Sequence, residues 1–277
     1  MTGIRRVDLG LPALLEFRGP DAVRFLNGQL TQDVRRLAGG EIALPSCVTD
    51  AKGKLQFRVT LTALTDDALW VEAPGDQAEA LEARLTRYLI ADDVEVTDLT
   101  GRFALWHLIG GSPEASVGVM ARRSNRFGVD GVDWWLPAGE DFEPPTGCTL
   151  LAGDELEALR IANGIPAWGR ELVEGLLPPE ALLEETDISY NKGCYIGQEV
   201  ISRIKSAGKV NKRLTRFLLD PEAAVIPGLL ENGAGEITSV SPLIENGCRA
   251  ALGYVKRGAT ELLYPSSDGT LVPVRSV

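Results

Sequence analysis

Residues 190–204, with the sequence YNKGCYIGQEVISRI, combine one thiol with a lysine, two glycines and apolar residues spaced four apart. Side chains four positions apart share one face of a helix. The stretch therefore predicts a turn through Gly193 and a helix that begins near Gly197. Cys194 would then lie just before a helix N-terminus, where the backbone N–H groups favour negative charge.

Two interpretations of Cys194 are open at this point. A free cysteine is most often a small buried hydrophobic residue, and a lone cysteine without a partner is weak support for a site. Its polar neighbours, Lys192, Gln198 and Glu199, do not describe an apolar core position. With Lys192 and Arg203 adding positive charge, the second interpretation is a reactive thiolate with a lowered pKa.

Composition limits the classes of protein that fit. The chain has 277 residues and a net charge of −11, so we expect two or three domains and no broad, non-specific binding of nucleic acid. The net charge does not exclude a local basic patch for nucleic acid, and the cluster within 203–216 forms such a patch; we interpret it as a solvated face. The start of the chain has no apolar signal core, and no run reaches the length of a transmembrane helix.

The cysteines and the single histidine narrow the chemistry further. The four cysteines lie far apart with no C-x-x-C pair, which predicts free thiols in a reducing, cytoplasmic setting. His107 is the only histidine, and its strand-like apolar surroundings favour a hydrogen-bonded histidine inside a sheet. The chain therefore has too few histidines for a histidine-based triad or metal site, and we predict no metal ligands.

Residues 20–37 carry apolar residues at spacings of three and four, which predicts two short helices with a break at Asn27. Around the break, Asn27, Gln29, Thr31 and Asp33 are polar and close together in sequence. They supply either capping and turn chemistry or a corner that faces a ligand.

The remaining pattern alternates strands and helices before it changes to short strands. Trp134 and Trp135 should point to opposite faces of a strand, one into the core and one towards a cleft. The predicted elements are strands at 44–49, 55–61, 68–72, 94–97 and 103–109, a helix at 78–89 capped by Asp76, a loop or short helix at 110–121, a hairpin at 126–136 and a helix at 155–162. After residue 206, short strands broken by glycine and proline predict a small all-β barrel or roll. We therefore divide the chain into 1–205, with an internal junction near 95–100, and 206–277.

The octapeptide KGCYIGQE at 192–199 resembles the K-G-C-[FY]-x-G-Q-E signature of YgfZ-type folate-binding proteins, which are relatives of the glycine cleavage T-protein, an aminomethyltransferase. Three further segments resemble this superfamily in the same order along nearly the whole chain. They are GPDAVRFLNGQLTQDV at 19–34, RIANGIP at 160–166, and GEITS at 235–239 followed by LGYV at 252–255.

The resemblance implies an α+β fold of the aminomethyltransferase type, with two related α/β subdomains and a C-terminal β-barrel around a central cavity. It implies tetrahydrofolate as the cofactor, and a role in assembling or repairing iron–sulfur clusters that indirectly supports tRNA modification. Iron–sulfur client proteins would be transient partners, without membrane or direct nucleic-acid binding. The resemblance ties Cys194 and Lys192 to this role as catalytic residues. It gives as folate-binding candidates Asn27, Gln29, Thr31, Asp33, Arg160, Tyr195, Gln198, Glu199 and Arg203.

Two other functions remain open. The T-protein's catalytic acid would fall near Gln56 and Phe57, where this chain has no carboxylate, so ordinary aminomethyl or one-carbon transfer lacks its proton-handling group. An unrelated enzyme with a cysteine nucleophile would lack a paired base, because His107 is far away in the sequence.

Overall fold

The computed structural model describes residues 3–111, 118–265 and 270–277. Its backbone forms two compact units, which we call the first and the second unit. The first unit contains residues 1–151 and 184–200, and the second contains 152–183 and 201–277. The predicted division at 205 and 206 stays a prediction, and most of the predicted loop at 110–121 lies outside the described residues.

Helices are few and strands are many among the described residues. The helices are α1 (Ala22–Gln29), α2 (Ala78–Thr86), α3 (Gly153–Ala162) and α4 (Gln198–Ala207). The strands are β1 (Arg5–Asp8), β2 (Ala13–Arg18), β3 (Ala43–Thr49), β4 (Leu55–Thr65), β5 (Ala68–Ala73), β6 (Glu95–Asp98), β7 (Phe103–Ile109), β8 (Met120–Ser124), β9 (Gly131–Pro137), β10 (Thr149–Leu150), β11 (Lys212–Leu219), β12 (Gly228–Leu229), β13 (Gly235–Glu245), β14 (Cys248–Lys256), β15 (Leu263–Pro265), β16 (Leu271–Pro273) and β17 (Arg275–Ser276).

The first unit contains two five-stranded sheets. One has the order β3-β4-β5-β2-β6 and the other the order β10-β1-β7-β9-β8. All neighbours are antiparallel except β1 and β10. One face of an antiparallel sheet can pack against helices and the other against a second sheet. Both kinds of packing occur in this unit.

Alternation along the strands divides the core of the first unit. Leu15 and Phe17 of β2 pack with the apolar residues of α1 and α2. Leu14, on the opposite face, packs with Trp70 and with Trp135 of the other sheet, and the two indole rings meet edge to face at 5.2 Å. A one-residue change of register would reverse these faces, so the pattern specifies the pairing of the strands.

Four sequence predictions need correction in this unit. The break in residues 20–37 falls at 30–33, because α1 continues to Gln29 and a 3-10 helix follows at Val34–Leu37. Asp76 is not a cap, since a 3-10 turn at Gly75–Gln77 precedes α2 and no side chain caps α2. The first hairpin strand is β8, before residue 126 rather than after it. Trp134 and Trp135 do take opposite faces, but both are buried, so neither lines a cleft.

The second unit combines α3 with a sheet of the order β12-β13-β14-β11-β17 and the short pair β15-β16. The predicted β-rich character of the C-terminal region is confirmed. No pairing in the described part of this region joins β12 to β17, so a closed barrel stays a prediction, as does the central cavity. None of the described helices is long and apolar enough to cross a membrane.

Candidate functional site

The predicted turn and helix around Cys194 are present. We call residues 190–197 the signature loop; it ends where α4 begins at Gln198, whose N–H donates to the carbonyl of Tyr195 at 3.2 Å. All four cysteines are free, and Cys194 is the exposed one, whereas Cys47 is buried. The interpretation of Cys194 as a small buried hydrophobic residue is therefore wrong, and its thiol is open to a partner.

Lys192 fixes one end of the signature loop to the end of α1. Its side chain is 8% exposed, and its ammonium donates at 2.7 Å to each of three backbone carbonyls, those of Asn27, Leu30 and Gln32. These carbonyls lie at and just after the C-terminus of α1, where the last carbonyls lack helical partners and a positive charge is favourable. Lys192 therefore acts as a cap for α1.

The geometry and the burial of Lys192 act on its charge in opposite directions. Three acceptors match the three N–H donors of an ammonium, which favours the charged form. Burial lowers the pKa of Lys192 to about 7, against the opposing attraction of Asp33. Because these three hydrogen bonds of Lys192 go to carbonyls rather than to Cys194, we assign Lys192 to positioning the loop; a catalytic role for it stays a prediction.

The other end of the signature loop is fixed to the turn between β3 and β4. Thr49 donates its hydroxyl to the carbonyl of Ile196 at 2.6 Å, and the N–H of Ile196 donates to the carbonyl of Gly28 at 3.2 Å. Gly197 has a φ of +88°, and a Cβ there would lie 2.5 Å from the carbonyl oxygen of Asp50. Only glycine fits such a close approach in this conformation, so the second glycine of the signature has a structural reason.

The polar residues predicted around Asn27 do lie beneath the signature loop. Gln29 and Thr31 are buried, and their side chains bond inside the unit: Gln29 accepts from Arg84 at 3.0 Å, and Thr31 donates to the carbonyl of Asp187 at 2.7 Å. Such engaged side chains favour a scaffold role, so folate contacts through them stay a prediction.

Asn27 and Asp33 also satisfy backbone groups. The side chain of Asn27 accepts from the N–H of Val34 at 3.1 Å. Asp33 caps the 3-10 helix that follows by accepting from the N–H of Arg35 at 3.2 Å, and hydrogen bonds from the Arg35 guanidinium lower the pKa of Asp33. The capping interpretation of this segment is confirmed.

Tyr195 differs from these residues because its hydroxyl is not used. The side chain is buried, and within the described ranges its hydroxyl has no hydrogen-bond partner. Burial raises the pKa of this phenol, and the ring lies 5.2 Å from the Lys192 ammonium. A buried polar atom without a partner needs an explanation, and a bound ligand that accepts or donates one hydrogen bond fits it.

The remaining candidates are divided between the units. Gln198 and Glu199 begin α4 beside the signature loop, with Glu199 exposed. Arg203 is exposed on the part of α4 that belongs to the second unit. Arg160, also in the second unit, is buried and bonds to Glu157, Glu171 and Ser239, which favours a structural role there.

Two buried charge clusters of the first unit were missed by the sequence analysis. Arg58 forms two hydrogen bonds with the fully buried Asp187, at 2.7 and 3.2 Å. Asp187 lies in an irregular, acid-rich connector whose sequence carries no periodic signal.

The second cluster joins the two sheets of the first unit. Arg126 bonds to Glu72 on one sheet and to Asp133 on the other. Burial opposes ionisation of Asp133, but the Arg126 guanidinium outweighs it and holds the pKa of Asp133 at about 2. His107 lies on β7 as predicted and bonds to Asp133 through Nδ1 at 2.8 Å, while its buried Nε2 has no partner among the described residues. Throughout the described ranges, no three histidine, cysteine or acidic side chains are grouped so that they could hold a metal ion.

Known proteins resemble this chain in sequence and in fold. No protein-family model matches it. It is 30% identical over 220 residues to the tRNA-modifying protein YgfZ of Aliivibrio fischeri, a match that covers 74% of this chain and 68% of that protein. It is 28% identical over 250 residues to the mitochondrial iron–sulfur cluster assembly factor IBA57 of Homo sapiens, covering 78% of this chain and 67% of that protein.

A solved structure shares the fold. It is the aminomethyltransferase T of the glycine cleavage system from Bartonella henselae, which superposes with a TM-score of 0.82 over 99% of this chain and 85% of that protein, at 19% sequence identity. The mixed α/β architecture expected from the sequence is thus confirmed, and at this level of identity the likeness concerns the fold alone.

Proposed function

This chain belongs to the YgfZ family, which includes the IBA57 proteins, and we propose that it is a tetrahydrofolate-binding accessory protein for iron–sulfur cluster assembly or repair. The observation that carries the proposal is the exposed Cys194 on a loop that is fixed at both ends. A thiol presented in this way can contact a client protein or a passing iron–sulfur group, while a single cysteine cannot hold a cluster by itself.

The fold and the relatives support different parts of this proposal. Relatives named as iron–sulfur cluster assembly factors support the assembly role. The likeness to aminomethyltransferase T supports a folate-sized ligand, because that fold is associated with folate. The support of tRNA modification would be indirect, through client enzymes that carry clusters, and a cytoplasmic location remains our prediction.

Among the residues expected to hold tetrahydrofolate, Tyr195 fits best. Its buried hydroxyl lacks a protein partner in the described part of the chain, and its ring offers a flat apolar surface. Gln29, Thr31 and Arg160 fit less well, because their side chains already bond to other protein groups. When bound, tetrahydrofolate would supply a carrier for one-carbon units; the protein would bind it, orient it and keep Cys194 at the surface.

Aminomethyl transfer of the T-protein type is the second candidate, and the shared fold is the observation that favours it. The T-protein acid would fall near Gln56 and Phe57, where no carboxylate is present, and the amide oxygen of Gln56 accepts from Arg84 at 2.6 Å. A carboxamide cannot take up a proton as a carboxylate does. Measured transfer of a methylene group from an aminomethylated carrier protein to tetrahydrofolate would restore this candidate.

Two experiments test the main proposal. A strain that lacks this protein is complemented with the wild type, with Cys194→Ala and with the control Cys148→Ala, and the activity of iron–sulfur enzymes is measured. We expect Cys194→Ala to fail and Cys148→Ala to succeed; full rescue by Cys194→Ala removes the thiol from the function. Calorimetry with tetrahydrofolate tests the ligand, and no binding at high micromolar concentration would remove folate from the proposal.

A further inference from the structure

Arg84, on α2 in the first unit, carries a half-buried charge with only neutral acceptors. Its Nε donates to the amide oxygen of Gln56 at 2.6 Å, and its Nη1 to that of Gln29 at 3.0 Å. Its Nη2 donates to the carbonyl of Thr49 at 2.7 Å. Burial lowers the pKa of this guanidinium, which nevertheless stays charged at any physiological pH because its ordinary value is so high.

Three other largely buried arginines in the described ranges are paired with carboxylates. Arg58 pairs with Asp187, Arg126 with Glu72 and Asp133, and Arg160 with Glu157 and Glu171. Arg84 has no ion pair with an acidic residue in the described ranges. Asp50 attracts Arg84 only from a distance, because its carboxylate accepts the backbone N–H groups of its own turn. A buried charge without a counterion is costly.

Other cations lie beside Arg84 in the chain or on the turn that it contacts. Arg84 and Arg87 both lie over the ring of Tyr88, at 5.4 and 5.9 Å. Lys52 and Lys54 are exposed on the turn between β3 and β4, the turn that Arg84 reaches through the Thr49 carbonyl. A concentration of positive charge in a chain of net charge −11 attracts anions locally.

This cationic cluster borders the signature loop. Thr49, which accepts from Arg84, donates its own hydroxyl to the carbonyl of Ile196. Gly197 packs against Asp50 and Gly53 of the same turn. Cys194 is two residues before Ile196, and two residues span at most about 7 Å of chain. Thr49 therefore joins the guanidinium to the loop that carries Cys194.

We propose that Arg84, together with Lys52, Lys54 and Arg87, forms a binding site for a carboxylate of the molecule that is brought to Cys194. A guanidinium with free N–H groups recognises carboxylates with defined geometry. Two sources present this chemistry: the glutamyl tail of a folate and an acidic side chain of a client protein. This inference depends on the proposed function only for the identity of the molecule that carries the carboxylate.

Alkylation of Cys194 in the purified full-length chain tests the site directly. Iodoacetate is an anion and iodoacetamide is its neutral analogue, so the ratio of their rates reports the local charge at the thiol. We expect Arg84→Gln, and separately the double variant Lys52→Gln/Lys54→Gln, to lower this ratio about twofold for each charge removed, with the iodoacetamide rate unchanged. The lysine variant serves as a second reporter because these exposed side chains do not support the fold.

Arg122→Gln is the matched control. Arg122 is also partly buried and gives its hydrogen bonds to carbonyls, those of Ala63 and Ala121, but it lies on β8 in the other sheet. An unchanged ratio in the Arg84 and lysine variants, or an equal fall in Arg122→Gln, overturns the proposal. Glutarate, a dicarboxylate, should slow iodoacetate saturably in the wild type and not in Arg84→Gln; absence of saturable inhibition in the wild type also overturns it.

Calorimetry separates the two sources of the carboxylate. If the folyl tail is the ligand, Arg84→Gln weakens binding of tetrahydrofolate triglutamate and leaves the monoglutamate unchanged. If a client side chain is the ligand, Arg84→Gln weakens binding of a glutamate-rich decapeptide instead. Failure of both to respond removes the carboxylate site. A Cys194→Ala strain that keeps its function while the alkylation ratio responds to Arg84→Gln would refute the thiol role and leave this site standing.

Discussion

The ammonium of Lys192 lies 2.7 Å from the carbonyl oxygen of Leu30, 162 positions earlier in the chain, and Leu30 is the C-cap residue that follows α1. This contact joins the two most distinctive sequence segments of the first unit. Because the same ammonium also reaches the carbonyls of Asn27 and Gln32, one side chain sets both the end of α1 and the path of the signature loop.

Lys192→Met should destabilise the first unit in a pH-dependent way. The pKa of Lys192 falls from its ordinary 10.5 to about 7 in the folded chain, so between these values the unfolded chain binds more protons than the folded one. The unfolding free energy of the wild type relative to Lys192→Met therefore rises with pH across this window, by about 1.4 kcal/mol per pH unit. Urea unfolding of both proteins at pH 7, 8.5 and 10, values chosen to cover about three units of that window, measures it.

Lys205→Met, at an exposed position, is the control for the loss of a lysine charge as such. A difference between wild type and Lys192→Met that stays constant with pH would mean that the three carbonyls offset the burial and that Lys192 keeps its ordinary pKa.

Gly197→Ala should be strongly destabilising, whereas Gly193→Ala in the same loop should not. At Gly197 the φ of +88° is strained for alanine, and the new Cβ would lie 2.5 Å from the Asp50 carbonyl oxygen and 2.7 Å from the Thr49 hydroxyl. We expect a loss of about 2–5 kcal/mol. At Gly193 no atom lies within 4 Å of the added Cβ, so the change should stay within about 0.5 kcal/mol. Equal effects of the two substitutions in thermal or urea unfolding would contradict this account of the loop.

The sequence predicted several elements that a local pattern controls. The helix after Gly197, the alternating strand β4 and the opposite faces of Trp134 and Trp135 follow from periodicities of 3.6 and 2, and the structure contains all three. The misplaced break in residues 20–37 has the same origin. Asn27-Gly28 is a turn signal, but α1 buries Leu26 and Gln29, and this tertiary burial keeps the backbone helical to Gln29.

Contacts between distant segments could not be predicted in this way. The sequence around Lys192 does not indicate that its ammonium bonds to carbonyls within residues 27–32. The sequence around Arg84 likewise does not indicate that Gln29 and Gln56 accept its hydrogen bonds. The same limit applies to the pair of Arg58 with Asp187, because the connector around Asp187 is irregular. Resemblance to a family supplied candidate residues such as Lys192 and Cys194, and the structure shows that Lys192 positions the loop.

Native alkylation should rank the cysteines by burial. Cys194 is exposed and should react first with iodoacetamide. Cys47 should react last, since it is fully buried and burial raises the pKa of its thiol, which leaves little thiolate to react. Peptide mass spectrometry over a time course measures the order, and unfolding in urea should remove the difference. Rapid native modification of Cys47 would show that the space beneath the signature loop opens readily.

Loss of the buried ion pair between Arg58 and Asp187 should destabilise the residues that support the signature loop and should change the reactivity of Cys194 little. Arg58→Met leaves a fully buried carboxylate without its partner, and such a loss costs about 3–5 kcal/mol. The carbonyl of Asp187 also accepts from Thr31, and Thr31 in turn accepts from the N–H of Cys47. Loosening this chain of contacts should speed the alkylation of Cys47 severalfold, while the rate at Cys194 changes little.

Arg35→Met provides the contrast, because the pair of Arg35 with Asp33 lies at the surface and should contribute at most about 1 kcal/mol. The double variant Arg58→Met/Asp187→Asn removes both charges and should recover part of the loss, since the uncompensated carboxylate is gone. If Arg58→Met and Arg35→Met cost the same in urea unfolding, the Asp187 carboxylate is hydrated in solution rather than buried. In that case the loss of Arg58 would not increase the reactivity of Cys47. Urea unfolding and the alkylation rate of Cys47 together show whether the segment around Asp187 is buried or hydrated.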